Sequence, residues 1–344
     1  MKKSTVLLIF IFIINYSSFA QVTYSTGFEA ILLAPKDDAN KIVNAYMNPA
    51  MKGLIYNMNN GWYHTAKVHK KFGFDLTINL TASFAPEKDE ILTFSKLKLS
   101  NQVTPLSATS PTVLGEDNNQ ALVNVSTEFN GVPATAQFEM PKGIKNELPL
   151  SAVPTPMIQA SLGLPFKSDI ILRFIPKVGS DDTKGGLFGI GFKKEITDWF
   201  GPMDKTPLHV SLLATYTNMN VDYTITDDNL NDDVDIQNGA IDFNLNSYTV
   251  QALASLNFPV INVYGGIGYS GGSSSLDMLG TYTLRYNGLA QPRELTNPLG
   301  LNFDASGFRS TIGARLSLGF FKIFGDYTIQ EYNAVNVGIA FSFR

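Results

Sequence analysis

The chain has 344 residues, of which 26 are Lys or Arg and 30 are Asp or Glu, giving a formal net charge of -4 at pH 7. This slightly acidic balance argues against a nucleic-acid partner, which requires a basic surface. The chain contains no Cys, so disulfide scaffolds, thiolate metal sites and cysteine nucleophiles are excluded.

The first twenty residues have the composition of an export signal. Two lysines precede the apolar run Val6–Ile14, and small residues lead to Ala20. Because this run is too short to span a bilayer as a helix, a cleaved signal is favoured over a membrane anchor. A glutamine follows instead of a cysteine, which argues against a lipid-modified N-terminus. We therefore expect residues 1–20 to be a signal peptide.

The next segment has helical periodicity. From Asp38 to Met58 the apolar residues recur every three or four positions, which predicts an amphipathic helix. Pro49 lies midway and removes a backbone donor, so we expect it to kink the helix or divide it in two. The sequence Asn59-Asn60-Gly61 then ends the helix.

From residue 71 onward the apolar residues alternate with polar ones. Ten segments show this period of two: Lys71–Phe84, Met157–Leu164, Asp169–Lys177, Leu187–Lys193, Leu208–Thr224, Ser247–Phe258, Ile261–Ser270, Gly307–Phe320, Phe321–Gln330 and Ala334–Arg344. Each is predicted to be a strand with one apolar and one polar face. An apolar face on nearly every strand is typical of a transmembrane β-barrel and favours it over a secreted β-sandwich.

The strand number is open between ten and fourteen. Ile91–Leu99 and Ala121–Phe129 alternate more weakly, and they form either an additional hairpin of the barrel or part of an outer loop. We favour twelve strands, an even number that leaves both termini on the periplasmic side. Ile225–Asn246 and Gly271–Ser306 are predicted to be loops, and Thr281–Tyr286 is assigned to the second of them.

The predicted fold is therefore all-β, an antiparallel transmembrane β-barrel of about twelve strands in the cell outer membrane. The barrel takes residues 67–344 and the helical segment takes residues 21–66. That segment either plugs the lumen or packs beneath the mouth in the periplasm. We expect Trp62 and Tyr63 at the inner membrane–water boundary, where such rings are enriched. The expected partners are membrane lipid, lipopolysaccharide and, through the strand Ala334–Arg344, the barrel-assembly machinery.

The alternation also predicts which charged residues face the lumen. They are Asp75, Arg173, Lys193, Arg309, Arg315, Lys322 and Asp326, five cations against two carboxylates. Arg173, Arg309, Arg315 and Lys322 are the candidate ligands of an anionic solute, because a buried Arg requires an acceptor. The alternative is ion pairing between neighbouring strands, for example Arg315 with Asp326, which fills small barrels without any ligand.

Metal and cofactor chemistry has little support in the sequence. Seven Asp and Asn residues crowd Asp227–Asp235, but their spacing matches no EF-hand, so a solvated acidic loop is favoured over a calcium site. His64, His69 and His209 are too scattered for a three-ligand zinc site. The glycines of Gly186–Gly191 lack the context of a phosphate loop and are expected to ease strand curvature or make room for the lumen contents.

Enzymatic activity is not expected. A hydrolase in a barrel would place a serine and a histidine on facing lumen positions near the rim. His209 is predicted at the periplasmic end of its strand, far from lipid of the outer leaflet. No cofactor and no metal are therefore expected.

Two resemblances support these predictions. At the stretch Asn59–Lys67, followed by Phe72–Leu76, the chain resembles a family of uncharacterised outer-membrane β-barrel proteins of Gram-negative bacteria. This resemblance extends over the whole mature chain. More distantly, the helical segment, the strand Gly189–Lys193 and the C-terminal hairpins resemble the long-chain fatty-acid transport porins. That second resemblance implies an N-terminal segment that plugs the barrel.

The leading functional hypothesis is a passive channel or binding protein for a small amphiphilic or anionic solute, with the helix restricting the lumen. One alternative is a non-conducting structural or surface-recognition barrel. The remote alternative is an outer-membrane enzyme that modifies lipid.

Overall fold

The computed structural model describes residues 25–180, 182–201, 206–225 and 233–343. The predicted signal peptide, residues 1–20, lies outside these ranges. So does most of the predicted acidic loop, of which Asp233 and Asp235 are described.

The described residues form one long helix and sixteen strands. Helix α1 is Lys36–Met58, and short 3-10 turns occupy Phe28–Leu33, Glu87–Asp89, Phe94–Lys96, Lys145–Glu147, Pro149–Ser151 and Thr197–Phe200. The strands are β1 Phe74–Ser83, β2 Ile91–Thr93, β3 Val103–Pro105, β4 Thr109–Pro111, β5 Leu122–Phe129, β6 Val132–Glu139, β7 Val153–Leu164, β8 Ser168–Gly179, β9 Thr183–Glu195, β10 Leu208–Thr224, β11 Val234–Asn257, β12 Ile261–Leu284, β13 Arg293–Thr296, β14 Leu299–Leu318, β15 Phe321–Ile329 and β16 Ala334–Phe343.

Ten of these strands close into an antiparallel ring, which confirms the predicted transmembrane β-barrel fold. The order is β1-β7-β8-β9-β10-β11-β12-β14-β15-β16, and β16 pairs again with β1. All ten predicted strands take part. The favoured number of twelve gives way to ten, the lower end of the expected range. The two weaker segments contribute β2 and β5, which pair outside the ring. Their apolar side chains, such as Val123 and Val125, are buried in the same hydrophobic core as α1 and so are not available to face lipid.

The two ends of the barrel differ. At the inner end lie Phe74, Phe343 and the short turns β7–β8, β11–β12 and β14–β15. At the outer end lies the long connection 84–152, which carries β2 to β6 and is called the cap below. Ser25 bonds to Gln137 of the cap. The first described residues therefore lie at the opposite end from Phe343. The two termini, which are expected to share one side, fall outside the described residues.

The wall changes its chemistry halfway along the strands. In the half nearer the inner end, called the membrane half, Leu76 and Ile78 are exposed on the outside while Thr77 and Asn79 are buried inside. In the other half, called the outer half, the inward positions are apolar and fully buried: Phe243, Leu245, Leu276, Met278, Leu299, Leu301 and Phe303. The outer half thus has an ordinary hydrophobic core, whereas the membrane half is polar inside and apolar outside.

The ring is closed only in the membrane half. Pairing of β7 with β8 stops at Gln159 and Arg173, and pairing of β14 with β15 begins at Ser310. Beyond these points β8 to β14 continue as an open, curved sheet, and the cap covers the remaining side. Much of the predicted loops Ile225–Asn246 and Gly271–Ser306 is therefore strand, because β11 already begins at Val234 and β12 extends to Leu284. Many of their polar residues, such as Asp242, Asn244 and Asp277, lie on the outward face of these strands. This composition is why the sequence suggested loops.

Helix α1 lies inside the wall and packs against β14, β12, β7 and β1. The helix continues without a break through Pro49. Its apolar residues, among them Ile42, Val43 and Ile55, are fully buried in the core of the outer half. This placement decides between the two predicted locations in favour of the plug. Within the described residues, no helix combines the length and apolarity needed to cross a membrane.

Candidate functional site

We call residues 36–70, which comprise α1 and the segment after it, the plug. The segment after α1 runs through the lumen of the membrane half. Asn59, just after the helix, bonds to Gly271 of β12. Thr65 contacts Ser255 of β11 farther along, and Lys70 accepts a backbone hydrogen bond from Gly73 at the inner end. The plug therefore extends from the outer half to the inner end.

Two arginines of the wall hold the C-terminal end of α1. Arg173 is fully buried and donates to the backbone oxygens of Met58 at 2.9 Å and Asn60 at 2.6 Å. Arg309 donates to the backbone oxygen of Asn59 at 2.8 Å and to the side chain of Asn60. The last turn of α1 has no basic residue of its own. The two guanidinium groups therefore provide the positive charge that favours the carbonyl end of a helix.

Trp62 completes this contact. The Arg173 guanidinium lies 3.8 Å from the centroid of the Trp62 ring, and the indole donates to Met58 O at 3.0 Å. A Cβ at Gly189 or Gly191 would come within 3.1 Å of this ring, so both glycines make room for the lumen contents, as predicted. The expectation that Trp62 and Tyr63 lie at the membrane boundary is wrong. Both are buried in the lumen, because the plug passes through the barrel instead of beneath it.

Gly61 fixes the path of the plug between the arginines and the opposite wall. Its φ is +68°, a conformation that favours glycine, and a Cβ there would lie 2.0 Å from Nδ2 of Asn79. The Asn79 amide donates to Gly61 O and to Oδ1 of Asn336, both at 3.0 Å. A buried amide of β1 thus bonds to the plug and to β16 at the same time.

A cluster of ionisable groups binds the plug nearer the inner end. Nε2 of His64 lies 3.1 Å from Oδ2 of Asp75, and Nε2 of His69 lies 3.2 Å from the same oxygen. Arg315 donates to Nδ1 of His64 at 2.8 Å. Because a guanidinium can only donate, this Nδ1 accepts, and His64 is a neutral imidazole whose Nε2 donates to Asp75. Asp169 completes the cluster.

Asp169 of β8 is completely buried and joins the plug to the wall. Its Oδ2 lies 3.1 Å from Nδ1 of His69 and 3.1 Å from Nζ of Lys193. Lys193 also donates to Lys67 O at 3.1 Å. The wall carboxylates and cations of this region therefore find their partners in the plug or beside it, as buried charges require. In the described part of the chain no group of three or more His, Asp or Glu side chains has the arrangement of a metal site.

A cleft of about 930 Å³ opens at the outer end, where the plug begins. Its apolar side includes Leu32, Leu33 and Phe129, and Tyr286 donates to Leu33 O at 2.9 Å. Burial raises the pKa of Tyr286 to about 12, although nearby Arg293 works against this. The phenol is therefore a neutral donor at physiological pH.

The sequence of the whole chain matches a protein family. Residues 1–343 match the family model of DUF6588, a family of unknown function. The chain belongs to this family. No curated protein matches it.

The DUF6588 chain is also similar to solved outer-membrane proteins. It is 7% identical to Ail, the attachment invasion locus protein of Yersinia pestis, over 80% of this chain and 100% of that one, with a TM-score of 0.27. It is 10% identical to the translocator domain of autotransporter NalP from Neisseria meningitidis, over 88% and 96%, with a TM-score of 0.25. It is 9% identical to the outer membrane protease OmpT from Escherichia coli, over 80% and 99%, with a TM-score of 0.28. Similarity this low says nothing about activity.

The four candidate ligand residues occupy different positions. Arg173, Arg309 and Arg315 lie in the lumen and bind the plug, while Lys322 lies near the inner mouth and donates to Gly319 O. The expected pairing of Arg315 with Asp326 does not form. Instead Asp326 accepts from Tyr264 and Asn336, because His64 of the plug lies next to Arg315.

Two other parts of the site carry little signal in the sequence. Asp169 is the first residue of its predicted strand and is not among the predicted lumen charges. The roles of Trp62 and His64 cannot be predicted from strand alternation, because plug residues do not follow it. The dense run Gly-Trp-Tyr-His at residues 61–64 was the one signal that this segment is packed on all sides.

Proposed function

We propose that this chain is an outer-membrane β-barrel that does not conduct and that binds its ligand at the outer end. The observation that carries the proposal is the bonding of Arg173 and Arg309 to the backbone of the plug. This favours the non-conducting alternative over the passive channel. The exposed apolar band of the membrane half supports the location, because such a band requires lipid.

Opening the lumen would be costly. Neither Arg173 nor Arg309 has a carboxylate within ion-pair distance among the described residues, so the plug carbonyls are their main acceptors. Withdrawing the plug would exchange these charge-assisted hydrogen bonds for bonds to water, at an expected cost of about 1.5–3 kcal/mol for each. A plug held in this way is a permanent part of the fold.

Single-channel recording in planar bilayers tests the closed lumen. We expect no current steps from the wild type, and intermittent steps from the double variant Arg173→Ala/Arg309→Ala, because the C-terminal end of α1 then loses both wall contacts. Lys322→Ala is the matched control, since this lumen cation bonds to Gly319 and not to the plug. Steady conductance by the wild type would overturn the proposal.

A small amphiphile is the ligand that the outer cleft favours. The cleft has an apolar wall of Leu32, Leu33 and Phe129, and its rim carries Arg293 and Glu294. Arg293 stacks on Phe129 at 4.4 Å, which presents the guanidinium beside an apolar surface. A ligand with an apolar body and a polar end fits this lining and this volume.

Binding of the fluorescent amphiphile 8-anilinonaphthalene-1-sulfonate to protein in nanodiscs tests the cleft, with empty nanodiscs subtracted. We expect saturable binding that Leu289→Trp, which fills the cleft, weakens about tenfold, or 1.4 kcal/mol. Leu106→Trp is the control, because Leu106 is exposed on the cap and does not line the cleft. Equal affinities for all three proteins would exclude the cleft as the site.

We also propose that the chain is not an enzyme. His209 bonds through Nδ1 to Glu195 at 2.7 Å, near the inner end. Hydrolysis of phospholipid by the wild type and by His209→Ala should match the background of empty vesicles. A rate above background that His209→Ala abolishes would contradict this.

A further inference from the structure

The outside of the wall changes from apolar to polar along three adjacent rows of residues. Strand pairing places Tyr216, Tyr248, Gly271 and Ser306 side by side across β10, β11, β12 and β14. The row on the inner side of it is Ala214, Val250, Tyr269 and Phe308, and the row on the outer side is Asn218, Asn246, Ser273 and Asp304. The middle row therefore marks the height at which lipid would give way to water, where tyrosines concentrate.

Gly271 leaves a gap in the middle row. A Cβ at this position would come within 2.9 Å of the Tyr248 hydroxyl and 3.0 Å of Cβ of Ser306. A cavity of about 310 Å³ opens here on the outside of the barrel, lined among others by Tyr216, Asn246 and Asp304. The cavity is separate from the plug and from the outer cleft.

The polar groups around this cavity are suited to a ligand with hydroxyl groups. Oδ1 of Asn246 already accepts from the Tyr216 hydroxyl at 2.6 Å and from Nδ2 of Asn218 at 3.0 Å, which leaves its Nδ2 to donate. Asp304 is exposed and offers a carboxylate that accepts. Among the described residues, none that lines the cavity is Lys or Arg. The lining therefore disfavours a phosphate and favours a neutral donor.

The edge of β14 adds backbone groups to the same place. Its pairing with β15 begins at Ser310, so the edge beyond that residue has no neighbouring strand among the described pairings. The Asn302 carbonyl points to this edge and accepts from Asn44. Asp304 and Ser306 lie two and four residues farther along the strand, so their backbone N–H and C=O groups point to the same edge and have no partner strand there among the described pairings.

Directly below the cavity the wall is apolar and open. Phe308 is 84% exposed, Ile267 65% and Val250 59%. An acyl chain can lie along these side chains while its polar head reaches the cavity above them. A molecule of this shape is a membrane lipid held at the interface.

We propose that this cavity binds the head group of an outer-leaflet lipid whose head is a neutral sugar. The sugar hydroxyls bond to Asn246, Asp304 and the β14 edge, the Tyr248 ring packs beside the sugar, and the acyl chains follow Phe308 and Ile267. The proposal rests on the proposed outer-membrane location but on neither the closed lumen nor the outer cleft.

Native mass spectrometry of protein released from nanodiscs tests the site. The nanodiscs contain phosphatidylcholine with equal fractions of monogalactosyldiacylglycerol and phosphatidylglycerol, and the lipid retained on the protein is counted. We expect the galactolipid to be retained in preference. Asp304→Ala should lower its retention about tenfold, the loss expected for a hydrogen bond to a charged group.

Two matched controls accompany the variants. Asp277→Ala removes another carboxylate of the outer half and should retain the lipid like the wild type. Gly271→Leu fills the gap and should abolish the preference, whereas Ala252→Leu, exposed lower on β11, should preserve it.

Preference for phosphatidylglycerol, or equal loss in Asp304→Ala and Asp277→Ala, would overturn the site. Neither outcome would affect the proposed location. A protein that stays dissolved without lipid or detergent would instead overturn that location and the lipid site with it.

Discussion

The membrane half and the outer half of the wall are built from the same strands but bury opposite chemistry. In β11 the inward residues Thr249 and Gln251 are polar, while Leu245 and Phe243, farther along the same face, are apolar. The outward face changes in the reverse sense, from Val250 to Asn246. From Phe243 to Gln251 the odd-numbered residues all face inward and the even-numbered residues all face outward. A single strand can therefore pass from a polar interior to an ordinary apolar core without a bulge between these residues, because only the side-chain chemistry has to change.

The two halves are also held together differently. The plug is bonded to the membrane half by buried amides and charges, such as Asn79 and Arg173, whereas α1 packs into the outer half through apolar side chains such as Ile42. Polar contacts depend on exact partners, whereas apolar contacts depend on volume. Substitutions in the two halves should differ accordingly.

The largest effect is expected at Gly61, in the polar half. Gly61→Ala places a Cβ 2.0 Å from Nδ2 of Asn79 and keeps an unfavourable φ. We expect a loss of more than about 3 kcal/mol, a large part of the net stability of a protein. Urea unfolding in liposomes measures it. Gly319→Ala is a matched control with a φ of +67°, and no atom of the described residues lies within 4 Å of a Cβ at this position, so it should cost only about 1–2 kcal/mol. Equal losses would show that backbone strain, and not the contact with Asn79, constrains the plug.

The next effect concerns the apolar core of the outer half. Phe243→Ala should destabilise the protein by about 3–5 kcal/mol, since Phe243 is fully buried and its loss leaves a cavity. Val250→Ala, on the outward face of the same strand, should cost less than about 1 kcal/mol. The same unfolding assay compares them. Similar losses at both positions would contradict the assignment of faces.

The outer surfaces of the two halves should respond oppositely to a charge. Ile267→Lys puts an ammonium on the apolar band and should cost about 2–4 kcal/mol in liposomes, less if the side chain reaches the interface. Ser275→Lys, on the outward face of the outer half, should be nearly neutral, because that face meets water. Folding efficiency into liposomes reports both. If Ser275→Lys were the more damaging variant, the position of the membrane half would be wrong.

The smallest effect is expected where plug and wall meet at the surface. Lys52 of α1 pairs with Glu331 at 2.9 Å, and both side chains are partly exposed. Lys52→Ala should cost about 0.2–1 kcal/mol and less at high salt, because solvent screens such pairs. Thermal unfolding at two salt concentrations measures this. A loss above that range would show that this pair contributes to anchoring the plug.

The sequence by itself determined the ten barrel strands and the helix. A period of two or of 3.6 residues follows from local backbone geometry, and it persisted through β1, α1 and β16 without help from distant residues. The absence of cysteine and the polar inner face of Lys71–Phe84 likewise required no structure. The predicted lumen position of Arg173 and Arg309 followed from the same alternation.

Only the tertiary structure decided what those arginines bind, where α1 lies and at which height the inward residues of the wall change from polar to apolar. Periodicity separates two faces of a strand, but it does not state which face meets lipid, water or another segment. For the same reason Asp242, Asn244 and Asp277 suggested loops, although they are outward residues of long strands. The bonds of Arg173 to Met58 and Asn60 join residues more than a hundred positions apart, and only closure of the barrel around the plug brings them together.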